Sequence, residues 1–92
     1  MRATAEIQVV PVGVGVSVRK WIQRVHEVLV EGGLEPQLHP NGTDVEGELT
    51  TVFDAVRRVH ETLHAEGVPR LETFIKIGTR TDKEPSLAGK MF

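Results

Sequence analysis

The sequence predicts an α+β fold in one domain spanning residues 1–92. Three observations carry that prediction. Two stretches repeat apolar residues at three- and four-residue steps, the period of a helix with one buried face. Four short stretches alternate apolar and polar residues, the period of a strand. Between the two halves lies Asn41-Gly42, a strong turn signal because both residues tolerate positive φ.

From Ala3 to Val10, Ala3, Ala5, Ile7 and Val9 face one way and Thr4, Glu6, Gln8 and Val10 the other, with Pro11 ending the strand. A glycine-rich connector, Val12 to Val16, leads to Ser17, a good N-cap. Val18, Trp21, Ile22, Val25, Val28 and Leu29 then form one stripe on a helix of about 15 residues. Gly32-Gly33 stops that helix.

Leu34 to Pro40 alternates again, and its two prolines assign it to a sheet edge. After the turn, Thr43 to Glu48 forms a strand with Val45 inward and Asp44, Glu46 and Glu48 on the opposite face. Leu49, Val52, Phe53, Val56, Val59 and Leu63 make the second helical stripe, closed by Gly67. Trp21 and Phe53 are expected in the core. Arg70 to Arg80 is the last strand, with Leu71, Thr73, Ile75 and Ile77 inward. The polar tail, 84–92, is expected to dock on a neighbouring subunit through Met91-Phe92.

The order strand, helix, strand, strand, helix, strand is solved by a ferredoxin-like sandwich. Both helices cover one face of a four-stranded antiparallel sheet. The other face carries Glu6, Gln8, Gln37, His39, Glu46, Phe74 and Lys76. Such a face suits a ligand, a second copy of the chain, or both.

Bulk composition narrows function. With 92 residues, 39% hydrophobic and 26% charged, the chain has an ordinary globular balance. Net charge is −2 with no clustered Lys or Arg, which argues against nucleic acid. Absence of cysteine removes disulfides, thiolate metal sites and cysteine nucleophiles. No apolar run reaches the roughly 20 residues of a membrane span, and Met1 to Glu6 lacks a signal-peptide core, so the cytoplasm is the expected location.

Site chemistry is sparse. Gly13-Val14-Gly15-Val16-Ser17 could hold an anion, but it lacks the third glycine of a dinucleotide fingerprint and the lysine of a P-loop. His60 and His64 stand i, i+4 without a third ligand, so no metal is expected; His26 and His39 read as isolated. Glu6 and Glu46, if adjacent, would share a proton, yet no nucleophile accompanies them. Thr43, Glu46 and Gly47 beside a tight turn favour binding over catalysis.

Pro11-x-Gly13 with Ser17, Thr43-x-x-Glu46-Gly47, His60, Arg70, Ile75-Lys76-Ile77-x-x-Arg80-x-Asp82-Lys83 and Lys90 occur in an order and spacing similar to those of the thiamine-binding protein family. The resemblance covers nearly the whole chain. It implies a ferredoxin-like fold in dimers paired as tetramers and no enzymatic activity. It further implies binding of thiamine or its hydroxymethylpyrimidine moiety near subunit interfaces, with no required cofactor. The expected ligand-binding set is Gln8, Ser17, Asn41, Thr43, Glu46, Gly47, Phe74 and Lys76. Glu46 would accept a hydrogen bond from the exocyclic amine, and Phe74 or Trp21 would stack on a ring. Three rival readings are a metabolite-sensing module of the same fold, such as one for amino acids, a structural oligomer without ligand, and an enzyme using Glu46 or His60 and His64.

Overall fold

A computed structural model describes residues 1–16 and 18–90. The elements are β1 (Arg2–Val12), α1 (Arg19–Glu31), β2 (Gln37–His39), β3 (Gly42–Glu48), α2 (Leu49–Ala65) and β4 (Arg70–Gly78), followed by a 3-10 turn at Ala88–Lys90. The sheet order is β2-β3-β1-β4, with every neighbouring pair antiparallel. The ferredoxin-like sandwich is therefore the observed fold.

Register assigns the two faces. Ile7 lies opposite Thr43 on one side and Ile75 on the other, and Ala5 lies opposite Val45 and Ile77. These residues share the helix-covered face, because cross-strand partners point the same way. Ala5, Ile7, Val9 and Val45 pack there with Trp21, Val25, Val28 and Leu29 of α1 and Val52, Ala55, Val59 and Leu63 of α2. Glu6, opposite Asp44 and Lys76, belongs to the open face.

Both helices end in the same way. Gly33 (φ +93°) and Gly67 (φ +108°) adopt the left-handed conformation. Their N–H groups donate to Val30 and His64, and the following residues, Leu34 and Val68, donate to Leu29 and Leu63 at 3.1 and 3.0 Å. This is the Schellman arrangement, and both following residues are buried, as its hydrophobic contact requires. Glycine at these positions avoids the Cβ strain of positive φ.

Three expectations change in detail. α1 is 13 residues long and starts after Val18, which makes no side-chain cap hydrogen bond; the expected cap, Ser17, lies outside the described residues. Phe53 is 53% exposed and not a core residue. The buried stripe of α2 is Val52, Ala55, Val59 and Leu63, and Phe53 sits about 100° round the helix from Val52. Leu38, on the edge strand, is 61% exposed although it points to the helix side.

The tail returns over its own sheet. The Leu87 N–H donates to Glu46 Oε2 at 3.0 Å, and Arg2 Nε lies 3.4 Å from Glu84 Oε1. Pro85 is buried. Thr4, on the open face, is 3% exposed. Met91 and Phe92, through which a neighbour was expected to be reached, lie outside the described residues.

Candidate functional site

The sheet is unevenly matched at one end, and that mismatch makes a groove. The last β1–β3 pair is Ile7 with Thr43, yet β1 continues to Val12 alongside β4. Gln8 to Val12 thus have no partner in β3. The vacated strip is walled by α1 on one side and the β2–β3 hairpin on the other. The groove encloses about 280 Å³. Val18, Ile22 and Val25 from α1 and Leu38 and Pro40 from the hairpin give apolar walls, and Gln8, His39, Asn41 and Thr43 add polar groups. A mostly apolar concavity with a few polar side chains is the ordinary form of a small-molecule site.

Gln8, Asn41 and Thr43, three of the residues singled out from the sequence, line this groove together. The others lie elsewhere. Phe74 is opposite Gln8 on the open face and 63% exposed. Lys76 is opposite Glu6 and lines a second depression with Glu6, Gln37, Asp44 and Leu87. Glu46 lies across from Thr4, and its carboxylate accepts the Leu87 N–H. Gly47 faces the helices. A Cβ there would stand 3.0 Å from Leu34 Cδ2, so the space left by glycine is filled by the core rather than open to a ligand. Ser17 lies outside the described residues.

His60 and His64 each have a partly buried contact of their own. His60 Nε2 is 2.7 Å from Thr73 Oγ1, which ties α2 to β4. His64 Nδ1 is 2.7 Å from the Val68 carbonyl oxygen at the end of α2. Each of the pair thus has its own structural partner.

His39 is not isolated. Its Nε2 lies 3.1 Å from Asp44 Oδ1 and 3.6 Å from Glu6 Oε2, and its Nδ1 accepts the Asn41 N–H at 3.3 Å. Glu6 therefore meets Asp44 and His39, not Glu46. Sequence alternation placed all three on the open face but could not bring them together. Strand register does, since Glu6 pairs with Asp44 while His39 pairs with Gly42 next to it.

Comparison with known proteins now bears on this geometry. The profile of the thiamine-binding protein family matches residues 5–92. The chain belongs to that family. Among similar family proteins is a UPF0045 protein of Synechocystis sp. strain PCC 6803, 41% identical over 91 residues, covering 99% of this chain and 75% of that protein. Another is the UPF0045 protein YqgV of Bacillus subtilis, 33% identical over 94 residues, covering 97% of this chain and 90% of the relative. The crystal structure of a Methanocaldococcus jannaschii protein, 31% identical, superposes with a TM-score of 0.88 over 97% of this chain and 91% of that one. Among the described residues, no helix is long and apolar enough to cross a membrane.

Proposed function

We propose that this protein binds a small molecule without transforming it. The ligand is thiamine or its hydroxymethylpyrimidine moiety, held near a subunit interface of a cytoplasmic homodimer or homotetramer. The observation that carries the reading is the groove bearing Gln8, Asn41 and Thr43 in a chain of the thiamine-binding family.

At about 280 Å³ the groove lies near the lower end of the roughly 300–1,000 Å³ usual for small-molecule sites. That volume suits one substituted pyrimidine ring. Its flat apolar faces would lie against Ile22, Val25 and Leu38. Its ring nitrogens and exocyclic amine would meet the Asn41 amide and the Thr43 hydroxyl, which between them offer both donors and acceptors. The thiazolium cation would remain towards solvent or a second subunit. No cofactor is needed for such binding.

A second location rests on Glu46, Lys76 and Phe74, which all belong to the open face. There a ligand amine would have to displace the Leu87 N–H from Glu46.

Calorimetric titration of the purified protein with thiamine, and separately with hydroxymethylpyrimidine, tests the proposal. The expected result is saturable binding that Asn41→Ala and Thr43→Val each weaken about fivefold, near 1 kcal/mol, by losing one hydrogen bond. Glu46→Gln should leave binding unchanged. Loss on Glu46→Gln alone moves the ligand to the open face. No heat with either compound from folded protein defeats the thiamine reading and favours another metabolite or a purely structural oligomer.

A further inference from the structure

We infer that Glu6, His39 and Asp44 form a binding site for a divalent transition-metal ion of the zinc type. The inference does not depend on the thiamine reading.

The argument begins with a conflict in the sheet. Glu6 and Asp44 are directly opposite across β1 and β3. Two carboxylates in that position repel each other. Most native pairs at such positions are neutral or of opposite charge, so something must offset the repulsion here. Lys76, the other neighbour of Glu6 in the sheet, makes no ion pair with it among the described residues. Instead the His39 imidazole leans in from β2, and its Nε2 is within 3.1 Å of one carboxylate and 3.6 Å of the other.

Gly42 borders that approach. It lies opposite His39 in the β2–β3 pair. A Cβ at Gly42 would stand 3.6 Å from both His39 Cε1 and Glu6 Cγ, and 3.0 Å from the Ile7 carbonyl oxygen. Only the approach to the Ile7 carbonyl oxygen is tight; the other two are ordinary contact distances. Three strands thus deliver three ligand atoms to one point, and all lie within 4.8 Å of one another.

The spacing suits a metal. Ligands about 2.0 Å from a tetrahedral zinc ion are about 3.3 Å apart. The two distances from His39 Nε2 bracket that value. One imidazole with two carboxylates prefers zinc-like ions over magnesium or calcium, which favour oxygen alone. All three side chains are partly exposed, so a fourth position stays open to water or a ligand. Glu6 and Asp44 line the depression on the open face that Gln37 and Lys76 share, which is where that position opens.

Binding requires a bare Nε2, so the imidazole proton must reside on Nδ1. The Asn41 N–H that now donates to Nδ1 at 3.3 Å then loses that acceptor, and the exposure of Asn41 leaves water to replace it.

The test is titration of tag-free, chelator-treated protein with Co²⁺, followed by visible absorption, with Zn²⁺ as competitor. The expected result is one ion per chain, with the strong absorption of four-coordinate cobalt, displaced by Zn²⁺. His39→Ala, Glu6→Gln and Asp44→Asn should each weaken binding at least about tenfold. The last two are near-isosteric, so they decide the matter if His39→Ala fails to fold, as checked by circular dichroism. Absence of saturable binding would overturn the inference. So would binding that falls with His60→Ala or His64→Ala while the Glu6, His39 and Asp44 variants keep it.

Discussion

Asp82 shows how strongly one neighbour can set the chemistry of an exposed side chain. Arg80 Nε donates to Asp82 Oδ1 at 2.6 Å, and its second nitrogen bonds Oδ2. A two-point guanidinium–carboxylate pair favours the charged carboxylate. It holds the Asp82 carboxyl at about 2, against an ordinary 3.8. A carboxyl depressed in the folded state stabilises the fold above its unfolded value and loses that contribution as pH falls through the folded value. The contribution of this pair is therefore present above pH 3.8 and fades towards pH 2. An NMR titration of the Asp82 side chain should show a midpoint near 2 that moves to about 3.8 in Arg80→Ala. A midpoint already near the ordinary value in the parent protein would mean the pair does not persist in solution.

The elements are held by close approaches as much as by apolar area. At the end of α1, a Cβ on Gly32 would lie 3.1 Å from Ala55 Cβ on α2. Neither atom can swing away, because Ala55 Cβ is fixed to a helix backbone. Gly32 has φ −78°, so a substitution there meets crowding without backbone strain. Gly32→Val should cost about 1–3 kcal/mol through overpacking, read as a lower midpoint in urea with an unchanged slope. An unaffected midpoint would show that the helices separate freely at this point. β2 makes the complementary case. Pro36 and Pro40 bracket its three residues and confine it to the edge. Its shortness leaves His39 and Leu38 at a sheet margin, where both line the groove and His39 also reaches the carboxylates.

Across the whole molecule, one sheet face is covered by helices and the other is not. The tail covers part of the open face around Thr4 and Glu46. Phe74 remains 63% exposed on the same face, with Gln8 opposite. A large aromatic left out in this way suits contact with a second copy. Sedimentation velocity should find an oligomer, and Phe74→Glu should shift it to lighter species while circular dichroism stays the same. An unchanged assembly would direct attention to Phe53 and the margin of β4, where Ile75 is also exposed.

Sequence alone determined the element order, the two core stripes, the edge position of β2, the outward row of Asp44, Glu46 and Glu48, and the family. These follow from local periodicity, from glycine and proline punctuation, and from motif spacing. The two helix ends were legible because only glycine tolerates the backbone they need. Phe53 was misassigned because a helical stripe has soft edges, and only the packed neighbours show where it stops. The groove was invisible, since it exists only because β1 outruns β3. Gly47 belongs to the expected ligand-binding set, but tertiary packing put Leu34 against it. Glu6, His39 and Asp44 lie 33 and 5 residues apart, and no local pattern joins them. Only strand register, which converts distant positions into neighbours, places them at one point.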